Sequence, residues 1–516
     1  MSFTLPTAAK VFHNPTPEEM RELVLERMPK DRVTVTEYGS INYRAKTRSR
    51  LGPSTFFVSE EPTGKQVMSS ADAKVWADRQ DAYIAEHEMV LLEGYIGPKD
   101  ASDFRVGTRL YIEASNANVA GMQEHLYFPP DDQWEPTFSV IYTPNLAAVG
   151  MPAEALIIID NDRGITRVFG SDYFGESKMG GLRMWNKLVQ NRGGLAMHSG
   201  AKTFPAEETP DGQERLALII GLSGTGKTTT TFRNVKGSLP VQDDFIGLMP
   251  DGTVHTTEAG CFAKSYGLDP DDEPTIHAGA TRADAWLESV GVGENGKVDF
   301  FDDSYTSNGR VTFAMEHIRH RAPTDLPKAS YLFILNRSDH IIPAVAKLDA
   351  EQAAYYFMLG ETTGTSAGGA DEDGKAMRVP GTNPFWWETE GSMGNRFLEL
   401  LQTVDLEVYL FNTGRVGGND DDDDRSKKVT IQASAAIQHA IVDESVEWVT
   451  DPDFGYLVPA SLPGIEDEEL LQPRRLYERQ GRADEYAQKV AQLREERRAF
   501  LARFPNLDPS ISALAQ

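Results

Sequence analysis

The stretch Gly221-Leu222-Ser223-Gly224-Thr225-Gly226-Lys227-Thr228 satisfies the phosphate-loop pattern GxxxxGK[ST] at every specified position, and it directly follows the apolar run Leu216-Ala217-Leu218-Ile219-Ile220. A buried strand feeding a glycine turn is the context such a loop requires. The glycines let successive backbone N–H groups turn inward on phosphate oxygens, the Lys227 ammonium reaches the β- and γ-phosphates, and the Thr228 hydroxyl is placed to ligate Mg²⁺. The order strand, loop, helix predicts an α/β fold around a nucleoside triphosphate. Its expected contacts are Gly221, Leu222, Ser223, Gly224, Thr225, Gly226, Lys227, Thr228 and Thr229. The motif alone does not name the group that receives the phosphate.

A chain of 516 residues has room for two or three domains. Its 40% hydrophobic and 25% charged residues are ordinary for a globular protein. No apolar stretch approaches bilayer length, and the start Met1-Ser2-Phe3-Thr4-Leu5-Pro6 lacks a basic segment followed by an apolar core. A cytoplasmic protein with no membrane partner is expected. Cys261 is the only cysteine, which excludes an intrachain disulfide and any multi-cysteine metal site, and leaves the thiol to packing. The net charge of −27 argues against nucleic acid as a partner, since phosphate backbones are bound through basic surface. An anionic protein that binds an anionic nucleotide must concentrate positive charge locally, so Lys227 and the basic residues that join it carry the information. Oligomeric state is not readable.

Residues 17–28 read as an amphipathic helix capped by Thr16, and residues 71–85 as another helix. Strands are expected at 32–36, 54–58, 88–96 and 108–112, and beyond the loop at 298–301, 330–335 and 406–411. The turn Thr209-Pro210-Asp211-Gly212 suggests a domain boundary within 202–213. Residues 360–374 are too glycine-rich and polar to pack, and read either as a lid or as a surface insertion. The run Asp420 to Asp424 reads as a solvated loop, because a calcium loop needs spaced ligands and a turn glycine. Residues 483–504 form a charged amphipathic helix that docks on the body. The pair Trp386-Trp387 reads as packing.

Downstream, Leu239-Pro240-Val241-Gln242 leads into Asp243-Asp244, with Asp244 seventeen positions beyond Lys227, and carboxylates beside a phosphate loop hold its metal directly or through water. Upstream lies Met197-His198. A lone histidine carries little, but further segments follow in one order: Tyr173-Phe174-Gly175-Glu176-Ser177-Lys178, Met197-His198, the loop, Asp243-Asp244, Phe301-Asp302-Asp303 and Asn308-Gly309-Arg310-Val311. In that order the chain resembles phosphoenolpyruvate carboxykinase, specifically its ATP-dependent branch. Ala259-Gly260-Cys261-Phe262-Ala263-Lys264 is similar to the family's GGCYAK, with Ala259 in place of the first glycine and Phe262 in place of the tyrosine. Residues 282–288 are similar to its RRDALLE, and Asn412-Thr413-Gly414 to its NTG.

The resemblance implies a two-domain carboxykinase-like α/β fold. An N-terminal mixed α/β substrate-side domain would cover residues 1–205, and a C-terminal phosphate-loop nucleotide-binding domain residues 206–516, with the lid-like loop near 360–375. It implies conversion of oxaloacetate and ATP to phosphoenolpyruvate, CO₂ and ADP, as in gluconeogenesis, with Mg²⁺ and Mn²⁺ as metals. Carried over by position, Lys227, Arg310, Lys178, Lys264 and Asp243 would be catalytic, with Lys264 also at the nucleotide. His198 and Asp244 would hold Mn²⁺, and Thr228 the Mg²⁺. Arg50, Tyr173 and Arg310 would bind substrate, with Arg48 the other candidate for the substrate arginine. Glu288, Lys428, Val429 and Ser434 would complete the nucleotide contacts.

The chain also departs from the family. Met179 stands where the family has a second lysine that ligates Mn²⁺, and a thioether is a poor ligand for a hard cation. The second metal then loses a ligand, is completed by water or is absent, with Lys178 and Lys202 as candidates to reach in instead. Most residues serving phosphate are kept while several serving oxaloacetate and CO₂ are changed. A carboxykinase-fold kinase for another small-molecule or protein acceptor is therefore the alternative, and a nucleotide-binding regulator without turnover the second.

Overall fold

The structure is a computed structural model that describes residues 3–222, 224–363, 375–418 and 425–515. Ser223, residues 364–374 of the glycine-rich segment, and the aspartate run lie outside the described residues. The architecture is mixed α/β with several sheets, and the chain separates into two compact units. Unit 1 comprises Met1–Arg192, His255–Asp325 and Phe385–Thr389; unit 2 comprises Gly193–Val254, Leu326–Pro384 and Glu390–Gln516.

This division is discontinuous, unlike the single boundary after residue 205 expected above, and strand pairing is the reason. Ser199–Phe204, assigned to the first domain by sequence, pairs antiparallel with the loop strand Arg215–Ile220 over six residues. In the other direction, Trp286–Glu288 pairs in parallel with Ile41–Tyr43, and through Arg310–Ala314 it brings Gly260–Lys264 into the same sheet. A sheet whose strands come from residues 33–43 and 260–314 cannot be cut between them.

Unit 1 is built on an eight-stranded sheet in the order Lys10–His13, Glu88–Ile96, Val106–Glu113, Phe138–Thr143, Ile165–Phe169, Leu156–Asp160, Thr55–Val58, Val67–Met68. The helix Phe174–Asn191 packs on it closely because Gly180 and Gly181 have no side chain. A Cβ on Gly180 would come within 3.0 Å of Val140, and one on Gly181 within 2.9 Å of Ile96. Fourteen of its eighteen residues are buried, Lys178, Met179 and Arg183 among them. The expected helix near the start is Pro17–Arg27, and Thr16 caps it through a full capping box with Glu19.

Unit 2 carries a second eight-stranded sheet, in the order Leu239–Gln242, Ser199–Phe204, Arg215–Ile220, Ala329–Asn336, Glu407–Asn412, Val345–Leu348, Leu457–Pro459, Trp448–Thr450. The loop strand is interior and parallel to Ala329–Asn336, which is in turn parallel to Glu407–Asn412. Strands covered on both faces read as unbroken apolar runs, and all of Leu216 to Ile220 is fully buried. Ala217 and Ile219 pack with Phe333, Tyr409 and Ile437 in the core of this unit. The charged helix expected from 483 onward is Ala483–Leu501, and a short helix, Pro509–Ala513, follows it. No described helix is long and apolar enough to cross a membrane.

Candidate active site

The phosphate loop leaves the interior strand at Gly221, where a Cβ would lie 2.3 Å from the Thr225 hydroxyl oxygen and 3.0 Å from Leu335. Gly224 and Gly226 have φ of 86° and 89°, a conformation that side chains resist. The loop ends in the short helix Lys227–Phe232, with Thr228 and Thr229 half-buried in its first turn. Two hydroxyls brace the turn. Thr225 Oγ1 donates to Leu222 O at 2.7 Å, and Thr413 Oγ1, from the Asn412-Thr413-Gly414 segment, donates to Thr225 O at 2.9 Å. Val429 N–H donates to Gly414 O at 2.9 Å, which ties the expected adenine edge to the same segment. Lys428 beside it is exposed, and Ser434 is half-buried in the first turn of the Ile431–Val442 helix.

Lys227, Asp244 and His198 come together. The Lys227 ammonium bonds the Asp244 carboxylate and lies 3.4 Å from the Asp243 carbonyl oxygen, while His198 Nε2 is 2.8 Å from Asp244 Oδ1. Pairing of Leu195–Met197 with Ile246–Leu248 sets this approach, because it delivers His198 next to the turn that carries the aspartates. His198 Nδ1 sits 3.1 Å from Thr382 O, a pure acceptor, so that nitrogen carries its hydrogen. Burial, followed by the Lys227 charge, lowers the histidine's pKa despite Asp244 and favours the neutral ring. The neutral ring then points an Nε2 lone pair at a carboxylate, a pairing that a shared cation satisfies. A carbonyl orienting the far nitrogen is the usual support of a metal-binding histidine. These donors fit a divalent ion with two protein ligands and its remaining positions filled by water or substrate. Among the described residues no group of three or more His, Cys, Asp or Glu gathers into a larger metal cluster.

Lys202 does not reach this pair. It is fully buried, and its ammonium donates to Thr230 O at 3.0 Å and Arg233 O at 2.8 Å, the carbonyl end of the loop helix. Burial, with Arg233 nearby, brings its pKa down to about 7. The expectation that Lys202 could stand in for a missing metal ligand is therefore corrected. A buried ammonium goes to the nearest carbonyl oxygens, and these belong to the helix.

Unit 1 gathers the remaining cations on its five-stranded sheet. Lys264, Arg310, Glu288 and Tyr43 are successive register partners across four strands. Arg310 donates to Asn308 Oδ1 at 2.8 Å and stacks on Phe262 at 5.2 Å, while its buried Nε has no hydrogen-bond partner among the described residues. Tyr173 is buried against the start of the next helix, where a Cβ on Gly175 would lie 2.4 Å from its ring. Lys178 is 1% exposed and pairs with buried Glu258 at 3.2 Å. Met179 beside it is buried too. Glu288, carried over as a nucleotide contact, is 1% exposed and accepts the Phe174 N–H at 2.7 Å, so its observed part is to hold the helix start. Burial pushes its pKa up to about 8.

The two candidate arginines separate clearly. Arg48 stacks on the Tyr305 ring at 4.3 Å, and its carbonyl accepts from Asn308. Arg50 is exposed and has no ionic or hydrogen-bonded partner among the described residues.

The family model for phosphoenolpyruvate carboxykinase matches residues 9–468. The chain belongs to the phosphoenolpyruvate carboxykinase family. Its relatives include the phosphoenolpyruvate carboxykinase (ATP) of Alkaliphilus oremlandii, 28% identical over 97% of this chain and 94% of that protein. Another, from Rhodopseudomonas palustris strain TIE-1, is 32% identical over 75% of this chain and 72% of the relative. A third, from Moorella thermoacetica, is 29% identical over 86% and 84%. Sequence reasoning overlooked two carboxylates in this carboxykinase-family chain, Glu258 and Asp172. A signal existed for the first: Lys178 sits in the apolar context Met179-Gly180-Gly181-Leu182, and a lysine buried there needs an anion. None existed for Asp172, whose partners lie about 125 to 140 residues upstream.

Proposed function

We propose that the protein is an ATP-dependent phosphoenolpyruvate carboxykinase, converting oxaloacetate and ATP to phosphoenolpyruvate, CO₂ and ADP. The observation that carries this reading is the contact series from Lys227 through Asp244 to His198 beside a braced phosphate loop. In the reaction the C–C bond to the departing carboxylate breaks, its electron pair forms the enolate, and the enolate oxygen attacks the γ-phosphorus as ADP leaves. Lys227 and Lys264 neutralise phosphate charge, Arg310 stabilises the enolate oxygen, Arg50 grips a substrate carboxylate, and Tyr173 shapes the pocket. A divalent ion held by His198 and Asp244 would supply further positive charge, with Mg²⁺ on the triphosphate at Thr228. On this reading residues around the loop form a nucleotide-binding domain and Lys428, Val429 and Ser434 line the adenine. The enzyme works in the cytoplasm.

The test is formation of phosphoenolpyruvate by purified protein from oxaloacetate and ATP with Mn²⁺. We expect turnover that falls at least ~10³-fold in Lys227→Ala, consistent with loss of a phosphate-charge contact. Tight ATP binding with no phosphoenolpyruvate at any metal concentration would refute the assignment.

Met179 and the Lys178–Glu258 pair favour a second reading, a kinase of the same fold for another acceptor, because neither position presents a free cation to CO₂. Met179→Lys separates the two. A large gain in oxaloacetate turnover means that Met179 limits carboxykinase chemistry; an unchanged rate supports a different acceptor.

A further inference from the structure

The segment between Tyr43 and Gly52 carries Arg44, Arg48 and Arg50 and has no strand ladder of its own. Its backbone is held largely by side chains. Ala45 N–H donates to Ser289 Oγ at 3.0 Å, Tyr305 donates to Ala45 O at 2.6 Å, and Asn308 donates to Arg48 O at 2.7 Å. Arg44 N–H donates to Arg32 O at 2.9 Å and Thr55 Oγ1 to Leu51 O at 2.9 Å, and three further pins come from one short stretch. The Asp172 carboxylate accepts from Lys46 N–H at 3.0 Å and Thr47 N–H at 2.9 Å, and Glu176, one helical turn later, accepts from Leu51 N–H at 2.9 Å.

Asp172 is therefore the node. It is 4% exposed and takes two more donors, Tyr43 OH at 2.6 Å and Arg32 Nη2 at 2.7 Å. Burial would raise its pKa, yet the backbone N–H groups of Lys46 and Thr47, with Tyr43 and Arg32, hold it below the ordinary carboxylate value. Glu176, 1% exposed, is in turn held by Arg183 at 3.0 Å. The clamp grips residues 46, 47 and 51. Two of the three arginines are occupied, since Arg44 and Arg48 both stack on Tyr305, at 4.7 and 4.3 Å. Arg50 alone stands between the pins with its guanidinium uncommitted.

We propose that Asp172 is a positioning residue for Arg50: with Glu176 it clamps the loop at both ends, so that the free guanidinium is presented to a substrate carboxylate in one orientation. This rests on the reading of Arg50 as the substrate arginine. Asp172 touches no substrate; it acts by replacing loop entropy with charge-assisted hydrogen bonds, which are stronger than neutral ones. Because Tyr173 follows Asp172 directly in the chain, the same residue couples the loop to the substrate tyrosine.

The test is Asp172→Asn in the full-length protein, alone and combined with Arg50→Ala. The asparagine keeps one acceptor but turns an amide donor toward groups that also donate. We expect the KM for oxaloacetate to rise about tenfold, the loss of a charged hydrogen bond, with the KM for ATP and kcat within about twofold. Tyr43→Phe, which removes one of four donors and keeps the ring, should give a smaller rise in the same constant. In the Arg50→Ala background, Asp172→Asn should add little. Hydrogen exchange of the amides of residues 46–51 should accelerate in Asp172→Asn whatever the activity. An oxaloacetate KM within twofold of wild type, full additivity with Arg50→Ala, or unchanged exchange of the loop amides would overturn the proposal. If wild type forms no phosphoenolpyruvate the carboxykinase reading fails, and the exchange result still decides whether Asp172 holds the loop.

Discussion

Two buried lysines, Lys178 in unit 1 and Lys202 in unit 2, are satisfied in opposite ways. In unit 1 Lys178 is matched by a carboxylate, Glu258, as buried Arg183 is by Glu176 and half-buried Arg32 by Asp172. In unit 2 the deepest lysine, Lys202, has no carboxylate partner among the described residues and is held by two carbonyl oxygens and Gln438. The difference teaches what each charge is for. A matched pair fixes the relative position of two segments, and breaking it leaves an uncompensated ion. A lysine on carbonyls completes a helix end, where the orphan C=O groups and the dipole both favour a donor with positive charge.

The comparison breaks most visibly at Glu258. Replacing it with glutamine strands the Lys178 ammonium in an apolar helix face, so Glu258→Gln should destabilise the protein by about 3–5 kcal/mol, read from urea unfolding. The double variant Lys178→Met/Glu258→Gln should recover most of that loss. If the single variant unfolds at the wild-type midpoint, the pair is not a structural match and Lys178 is available for chemistry.

Next in size is a contrast in pH dependence between one residue from each unit. The Lys202 pKa falls from its ordinary 10.5 to about 7. Between those values the unfolded chain binds the proton and the folded one does not, so its contribution is present above about 10.5 and is lost as pH falls to about 7. Glu288 runs the other way. Its pKa rises from 4.5 to about 8, so its contribution is present below about 4.5 and is lost as pH climbs through about 8. Each slope is at most about 1.4 kcal/mol per pH unit. Lys202→Met should therefore abolish a rise in stability between about pH 7 and 10, and Glu288→Gln a fall between about pH 5 and 8, both measured as urea midpoints against pH. Glutamine keeps the acceptor for Phe174 N–H, which makes the second substitution the cleaner one. A variant that retains its wild-type slope would show that the residue is not the titrating group.

Much of unit 2 was legible in the sequence. Loop strand, glycine spacing, Asp243-Asp244 and His198 are local or periodic signals, and an interior strand announces itself as five consecutive apolar residues. Features that depend on distant pairing leave no such local signal. The division after residue 205 lies between Ser199–Phe204 and its pairing partner Arg215–Ile220, and Trp286–Glu288 belongs with Ile41–Tyr43. No composition shift marks either pairing. Lys202 is a candidate metal ligand by residue type alone, and its approach to the Thr230 and Arg233 carbonyls depends on the packing of its strand against the loop helix. Glu288 was placed by its segment, and burial of that strand was invisible without its neighbours.

The smallest expected effect tests how rigidly unit 2 presents its loop. Thr413 ties a segment 188 residues away to the loop through one neutral hydrogen bond, Oγ1 to Thr225 O at 2.9 Å. Thr413→Val is nearly isosteric and removes only the hydroxyl, so the cost is that of one hydrogen bond, about 1 kcal/mol. The Thr225 carbonyl would then be free to turn, and with it the Gly226 N–H that the same peptide carries toward the phosphate. Nucleotide affinity should weaken about fivefold in a direct ATP titration while the KM for oxaloacetate is unchanged, the reverse of the pattern expected for Asp172→Asn. If both constants moved together in either variant, the proposed separation of nucleotide-holding from substrate-holding residues would fail at the level of energetics.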